Sequence, residues 1–422
     1  MDFRSIKLAI LMGIVIFFVT PASGSDLPQA APEDMGFSTD RLDRIKTYFR
    51  ARVENGELPG AVMLVSRHGK IVLHEAVGFA DLETQAKLRT DHIFRMASMT
   101  KPIAATALMM LYEEGRFQMN DPLHKYLPEL EGIKVEDGLN DDGSPRLVDA
   151  IRSPNMLDVL RHTAGFSTGV DSKKYAEVNL RHPQKATLET MVTKLAKFPL
   201  EYQPGEKWVY SISSDVQGRL VEVLSGVSFD EFLQTRLFDP LEMIDTGFTV
   251  TPDKKARLGT EYKIDDKGLL RPLKGKYTEN LPFHTEQYLH PVRFFSGGGG
   301  LVSTAEDYWR FAQMMLDGGE LEGVRVLGPR TIRFMTRDHL QGIPAKKEGS
   351  AYGLGFGVMR VQALSGSMVS EGTYYWGGGF GTRFWIDPKE DIVAIFLSQT
   401  FPNQIALEIE KLHALVYSAL VK

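Results

Sequence analysis

Hydrophobic positions along the chain fall into blocks of different period. From Thr39 to Asn55, Leu42, Ile45 and Phe49 recur at helical spacing, which predicts an amphipathic helix with Ser38 as its cap. Ala61–Ser66 and Lys70–Ala76 are short apolar runs around Arg67-His68-Gly69, the pattern of a hairpin. From Ser98 to Glu114 the chain is apolar nearly all round, through Ile103, Ala104, Ala107, Leu108 and Leu111. A buried central helix is expected there, ended by Gly115. Short helical stretches follow at Met156–His162, Thr187–Lys197, Asp215–Leu224 and Asp230–Leu237, with a small hairpin turning at Asp142-Gly143. Ser303-Thr304-Ala305-Glu306 then reads as a capping box opening a helix through Met315. Strand-like runs at Gly355–Val361, Arg383–Ile386 and Ile392–Ser398 precede a closing helix from Ile405 to Leu420.

Strands therefore lie at both ends and helices between them, an α+β pattern. We expect residues 25–110 and 290–422 to build one discontinuous α/β domain, with residues 111–289 as a mostly helical insert.

Composition narrows the function classes. The 422 residues are 43% hydrophobic and 24% charged, which excludes a largely disordered chain. A net charge of −5, with no long block of like charges, gives no general attraction to nucleic acid. The absence of Cys removes thiolate catalysis, Cys-ligated zinc and iron–sulfur clusters. Arg4 and Lys7 precede the apolar run Leu8–Val19, and Pro21-Ala22-Ser23-Gly24 supplies small residues for cleavage after Gly24. Residues 1–24 thus read as a signal peptide, and a periplasmic or secreted protein is expected. An uncleaved anchor is the alternative reading of the same run.

Two serines compete for chemistry. Gly165-Phe166-Ser167-Thr168-Gly169 matches the nucleophile-elbow pattern formally. An elbow needs a strand before the serine and a helix after it, whereas Met156–His162 is helical in spacing and Val170-Asp171-Ser172 is not. Gly165 is instead expected to end a helix. Ser98-Met99-Thr100-Lys101 is the chain's one S-x-x-K. On a first helical turn, residues at i and i+3 are neighbours, so the Lys101 amine can face the Ser98 hydroxyl. The helix N-terminus favours a developing oxyanion, and an apolar helix around the amine favours the neutral form that can accept a serine proton. A plain N-cap serine beside a solvated lysine is the bland alternative.

The surrounding residues weigh against it. Phe94-Arg95-Met96-Ala97-Ser98-Met99-Thr100-Lys101-Pro102, Leu160-Arg161-His162-Thr163-Ala164-Gly165-Phe166 and Gly297-Gly298-Gly299-Gly300-Leu301-Val302-Ser303-Thr304 together resemble the class C β-lactamase and penicillin-binding-protein superfamily. So does Asp121-Pro122-Leu123, and the likeness runs from about residue 34 to the C-terminus. The resemblance implies a β-lactamase/transpeptidase-like α/β sandwich with an antiparallel sheet flanked by helices. The superfamily's Tyr-x-Asn motif reads Tyr210-Ser211-Ile212, and its Lys-Thr-Gly motif reads Trp376-Gly377-Gly378. Ile212 cannot bond a substrate amide as Asn does, and Trp376 brings no charge to meet a carboxylate. That combination looks like the family VIII carboxylesterases and the related acyltransferases of statin biosynthesis.

The resemblance implies Ser98 as nucleophile, Lys101 and Tyr210 sharing the acid/base work, and the Ser98 and Gly379 N–H groups as the oxyanion hole. Trp376, Gly377, Gly378 and Ile212 would shape an apolar substrate site. The expected partner is a small-molecule ester or amide, with no cofactor, no metal and no nucleic acid. A serine esterase for short acyl chains leads. A β-lactamase, a D-alanyl carboxypeptidase or peptidase, an acyltransferase, and a non-catalytic penicillin-binding-like protein are the alternatives. His162 is expected to satisfy carbonyls at a helix end, and Trp208 to be core. His182, His284, His290 and His339 read as loop surface.

Overall fold

The computed structural model describes residues 27–166, 180, 182–273, 285–345, 348–401 and 409–422. The leader segment, Ser167 and His284 lie outside them. The first hairpin forms as its pattern predicts. Strands β1 (Gly60–Arg67) and β2 (Lys70–Asp81) pair antiparallel up to Arg67↔Lys70. The two-residue turn between them puts His68 and Gly69 at φ 52° and 68°. Two successive left-handed residues match the twist of the flanking strands.

Among the described residues, eight strands make one antiparallel sheet. After β2 come β3 (Ala86–Lys87), β4 (Ser350–Tyr352), β5 (Gly357–Met359), β6 (Tyr374–Gly378), β7 (Thr382–Asp387) and β8 (Ile392–Leu397). Their order across the sheet is β4-β5-β6-β7-β8-β1-β2-β3, so the two ends of the chain meet where β8 pairs with β1.

Both faces of the sheet are covered, which is why β1 reads as an unbroken apolar run rather than an alternating one. Ala61, Met63 and Val65 share a core with helices α1 (Thr39–Glu54) and α5 (Ile409–Ala419), through Leu42, Ile45, Phe49, Leu412 and Val416. Val62 and Leu64 face the larger core, which contains α2 (Thr100–Glu113), α3 (Ser213–Ser225) and α4 (Ala305–Leu316). Each large apolar side chain buried this way contributes about 1.5–3 kcal/mol. Helix α2 is buried from Thr100 to Leu111, as its all-round apolar pattern predicts.

Several local expectations are corrected. Ser38 occupies the N-cap position of α1 but makes no capping bond. The Thr39 N–H donates to Glu33 Oε1 at 3.0 Å instead, because the 3₁₀ turn at Pro32–Met35 folds that carboxylate back. Helix α4 is capped one residue later than its motif suggests. Ser303 is held in a strand pair with Phe94, so Thr304 Oγ1 takes the capping bond, from Asp307 N–H at 3.1 Å. The 156–162 helix stops at Leu160, and His162 turns away with φ 59°. Gly165 does not end it. With φ 88°, Gly165 lets the chain pass Tyr202, whose carbonyl oxygen an added Cβ would meet at 2.5 Å. Of the closing helix, residues 405–408 lie outside the described part.

Strand β6 carries no alternating signal, since Tyr-Tyr-Trp-Gly-Gly is aromatic then glycine-rich. The ladder to β7 holds it from Tyr374 to Gly378, whereas β5 pairs only with Tyr374 and Tyr375. The β5–β6 ladder therefore stops before Trp376, where the glycine-rich stretch begins.

Candidate active site

The 3₁₀ turn Ala97–Met99 puts Ser98 just ahead of α2 rather than within its first turn. Ala97 takes φ 46°, a left-handed conformation that a residue with a Cβ adopts only under constraint. The constraint is visible on both sides. Met96 N–H donates to Leu301 O at 2.9 Å, and the Tyr308 hydroxyl donates to Met99 O at 2.9 Å. The half-buried Ser98 hydroxyl stands 3.2 Å from Lys101 Nζ. Lys101 is only 4% exposed, and its Nζ also donates to Gly298 O.

That carbonyl belongs to the 297–300 glycine run, which is clamped to the start of α3. Asp215 Oδ1 accepts from Gly298 N–H at 2.9 Å and from Ser296 Oγ at 2.6 Å. A Cβ on Gly297 would strike the Ser214 carbonyl. Gly298 thus links Asp215 and Lys101, its N–H on the first and its carbonyl on the second, and holds the amine in line, a role the sequence reading did not assign to Asp215.

Tyr210 precedes α3, and Lys101 Nζ lies 4.6 Å from its ring centroid. The ring is held between His162 (5.1 Å) and Trp376 (5.5 Å). Tyr352 closes the cluster, 5.2 Å from Trp376 and 5.3 Å from Trp208. Trp208 is thus half-buried beside Tyr210 rather than in the core.

His162 does not satisfy helix carbonyls as expected. Its positive φ sends the ring inward, where Nδ1 accepts from Ser211 N–H at 3.2 Å. Burial, with the Lys101 charge nearby, pushes its pKa down to about 3, so the imidazole is neutral across the working range. It fixes the backbone after Tyr210 and does not offer a base. His339 is buried, with Nε2 2.6 Å from Phe334 O, and is not a surface residue. His182 accepts from Gln184 N–H within its loop, and His290 is exposed.

The three glycines that follow Trp376 differ. Gly378 lies against the turn that carries Ser98, where an added Cβ would overlap Met96 O and Thr382 Oγ1. Gly377 lies under the Arg383 side chain. A Cβ at Gly379 would meet only the Phe401 ring, at 3.7 Å. Beside this wall, Ala97, Leu273 and Phe380 form a small apolar cluster. Ile212 is 3% exposed and packs in the main core beneath Tyr210's segment.

A serine hydroxyl beside a buried amine, under a tyrosine ring and a close-approaching strand edge, suits transfer of a proton from the hydroxyl as it attacks a carbonyl. Tyr352, His162, Gly298 and Asp215 are additions to the residues expected from sequence. They come from separate segments and share no local pattern.

Comparison with known proteins agrees with this architecture. The sequence profile of the Beta-lactamase family matches residues 45–418. Protein Rv1367c of Mycobacterium tuberculosis is 33% identical over 378 residues, 86% of this chain and 91% of that protein. Esterase EstB of Burkholderia gladioli is 28% identical, over 88% of this chain and 93% of EstB. The solved structure of EstCE1, a hydrolase with promiscuous acyltransferase activity, has a TM-score of 0.74 at 23% identity, covering 90% of this chain and 99% of that one. At that identity the likeness is one of fold.

Proposed function

The chain belongs to the Beta-lactamase family, and within it we propose a serine hydrolase that cleaves carboxylic esters of short acyl chains through an acyl-enzyme on Ser98. The observation that carries the reading is the 3.2 Å contact of Lys101 Nζ with Ser98 Oγ, beside strand β6, where Trp376 stands in place of the cation of a Lys-Thr-Gly motif. Ser98 Oγ attacks the ester carbonyl, and its proton passes to the Lys101–Tyr210 pair. The tetrahedral oxyanion rests on the N–H groups of Ser98 and Gly379. The C–O bond to the alcohol breaks as the pair returns the proton to the leaving alkoxide. Water, or an acceptor alcohol, then takes the acyl group by the reverse sequence. Trp376 gives the acyl group an apolar, uncharged wall, and Ile212 contributes by leaving no amide-binding group beside Tyr210. EstB's name supports esters over β-lactams as substrates. On this reading residues 1–24 serve as an export leader for a periplasmic or secreted enzyme, and residues 111–289 as the insert between the two parts of the α/β domain.

Purified protein should hydrolyse p-nitrophenyl acetate and butyrate well above a Ser98→Ala control, and faster than it opens nitrocefin. Ester turnover equal to that of the control ends the esterase reading. Faster nitrocefin turnover replaces the esterase with a β-lactamase.

Asp215 enters this chemistry as a positioning residue, through Gly298, whose N–H it accepts and whose carbonyl receives the Lys101 bond. Asp215→Asn should lower kcat by roughly 10- to 100-fold, the scale of a misplaced reacting group, with KM little changed. Circular dichroism on the same sample reports folding. A fall in kcat matched by loss of folded protein would assign Asp215 to the fold alone.

A further inference from the structure

A cavity of about 440 Å³ lies beyond Trp376, lined by Trp208, Tyr352, Tyr375, Trp376 and Trp385, with Arg383 among them. Ser98, Lys101 and Tyr210 do not line it, so Trp376 is a wall shared with the candidate active site rather than part of a single pocket. Its volume falls in the range of small-molecule sites.

The Arg383 guanidinium is the unusual feature of this space. It lies across the backbone opposite it in the β6–β7 ladder, where Gly377 leaves room. A Cβ there would meet Arg383 Nη1 at 2.5 Å. No carboxylate pairs with the guanidinium among the described residues, and Nε has no hydrogen-bond partner. Glu410, exposed on α5, also lines the cavity, with no ion pair to Arg383. A partly buried cation loses hydration and regains little unless an anion meets it. The direction of its pKa, pulled below the ordinary arginine value by burial, agrees with that cost. Arginine's planar fork matches a carboxylate with two parallel hydrogen bonds.

We propose that this cavity is a binding site for a monocarboxylate with an apolar or aromatic body, its carboxylate on Arg383 and its body among the aromatic rings. The site is independent of the ester reading. The carboxylate supplies a counter-charge to Arg383, and its apolar body meets the aromatic walls. Three of the chain's four tryptophans line the cavity, so intrinsic fluorescence reports its occupancy.

The test uses the Ser98→Ala protein, in which no acyl-enzyme forms, titrated with phenylacetate and with its neutral counterpart phenylacetamide. Phenylacetate should quench tryptophan fluorescence saturably and bind about tenfold or more tighter than phenylacetamide. Adding Arg383→Met should remove that preference, and Arg383→Lys should restore part of it. Gly377→Ala, which crowds the guanidinium without removing its charge, should weaken phenylacetate selectively and guards against misfolding of the Arg383→Met protein. Equal affinity for acid and amide, binding unchanged by Arg383→Met, or no saturable quenching would each overturn the site. None of these outcomes depends on whether the enzyme turns over esters.

Discussion

Lys101→Met should lower kcat for p-nitrophenyl butyrate by about 10³–10⁴-fold, the upper range for losing a general base. Methionine nearly conserves the volume of a side chain that is 4% exposed, so packing changes little. What disappears is the nitrogen 3.2 Å from Ser98 Oγ, the donor to Gly298 O, and the charge 4.6 Å from the Tyr210 ring. The serine loses the nitrogen through which its proton passes to the Lys101–Tyr210 pair, and the Tyr210 ring loses its neighbouring lysine. Fluorophosphonate labelling of Ser98 should slow in parallel, because phosphonylation needs the same activated oxygen. The cost in stability is the unpaired Gly298 carbonyl, about 1–3 kcal/mol, so a thermal melt should still show a folded protein. A kcat loss below tenfold with the fold intact would remove Lys101 from the mechanism.

Gly378→Ala should cost about 10²–10³ in kcat, the scale of losing one oxyanion donor. The effect is expected through the backbone that Gly378 packs against. The added methyl overlaps Met96 O, two residues before Ser98, and Thr382 Oγ1 on the neighbouring strand. Neither can retreat freely. Met96 N–H is bonded to Leu301 O, and Thr382 Oγ1 donates to Met96 O at 3.2 Å. The strand must therefore swing outward, and Gly379 N–H moves with it. Overpacking of this kind also destabilises by about 1–3 kcal/mol. Gly379→Ala is the contrasting variant, because its methyl meets only the Phe401 ring at ordinary contact distance, 3.7 Å. Its kcat should stay within about threefold of the parent, a change below 1 kcal/mol in barrier. Equal losses in the two variants would show that the spacing between β6 and the Ser98 turn does not set the rate.

The parts of the fold that depend on local pattern were legible in the sequence. The β1–β2 hairpin, buried α2 and amphipathic α1 each follow from a period or a turn residue. The Ser98–Lys101 contact followed because i and i+3 adjacency survives the change from an α-turn to a 3₁₀ turn. The caps of α1 and α4 went astray because tertiary partners outcompeted the nearest hydroxyl. Glu33 reaches Thr39 N–H from an upstream turn, and the Phe94 pairing removes Ser303 from its cap role. The Asp215–Gly298–Lys101 chain joins three segments far apart in sequence, and only the packed structure brings them together. His162 was misjudged because its positive φ, which reverses the ring's direction, has no signature in a histidine.

The pairing of β8 with β1 also bears on how the molecule comes into being. Ser398 Oγ donates to Gly60 O across 338 residues of chain. Contacts so remote in sequence raise contact order, which slows folding. On a growing polypeptide the segment bearing Ser98 is made early, while the strand carrying Trp376 and Gly378 arrives only near the end of synthesis. Until then β1 has an open edge of apolar residues, the kind of template on which unfinished chains aggregate. Activity is thereby tied to completion of the chain, because a release that stops short of β6 leaves the nucleophile without its facing wall.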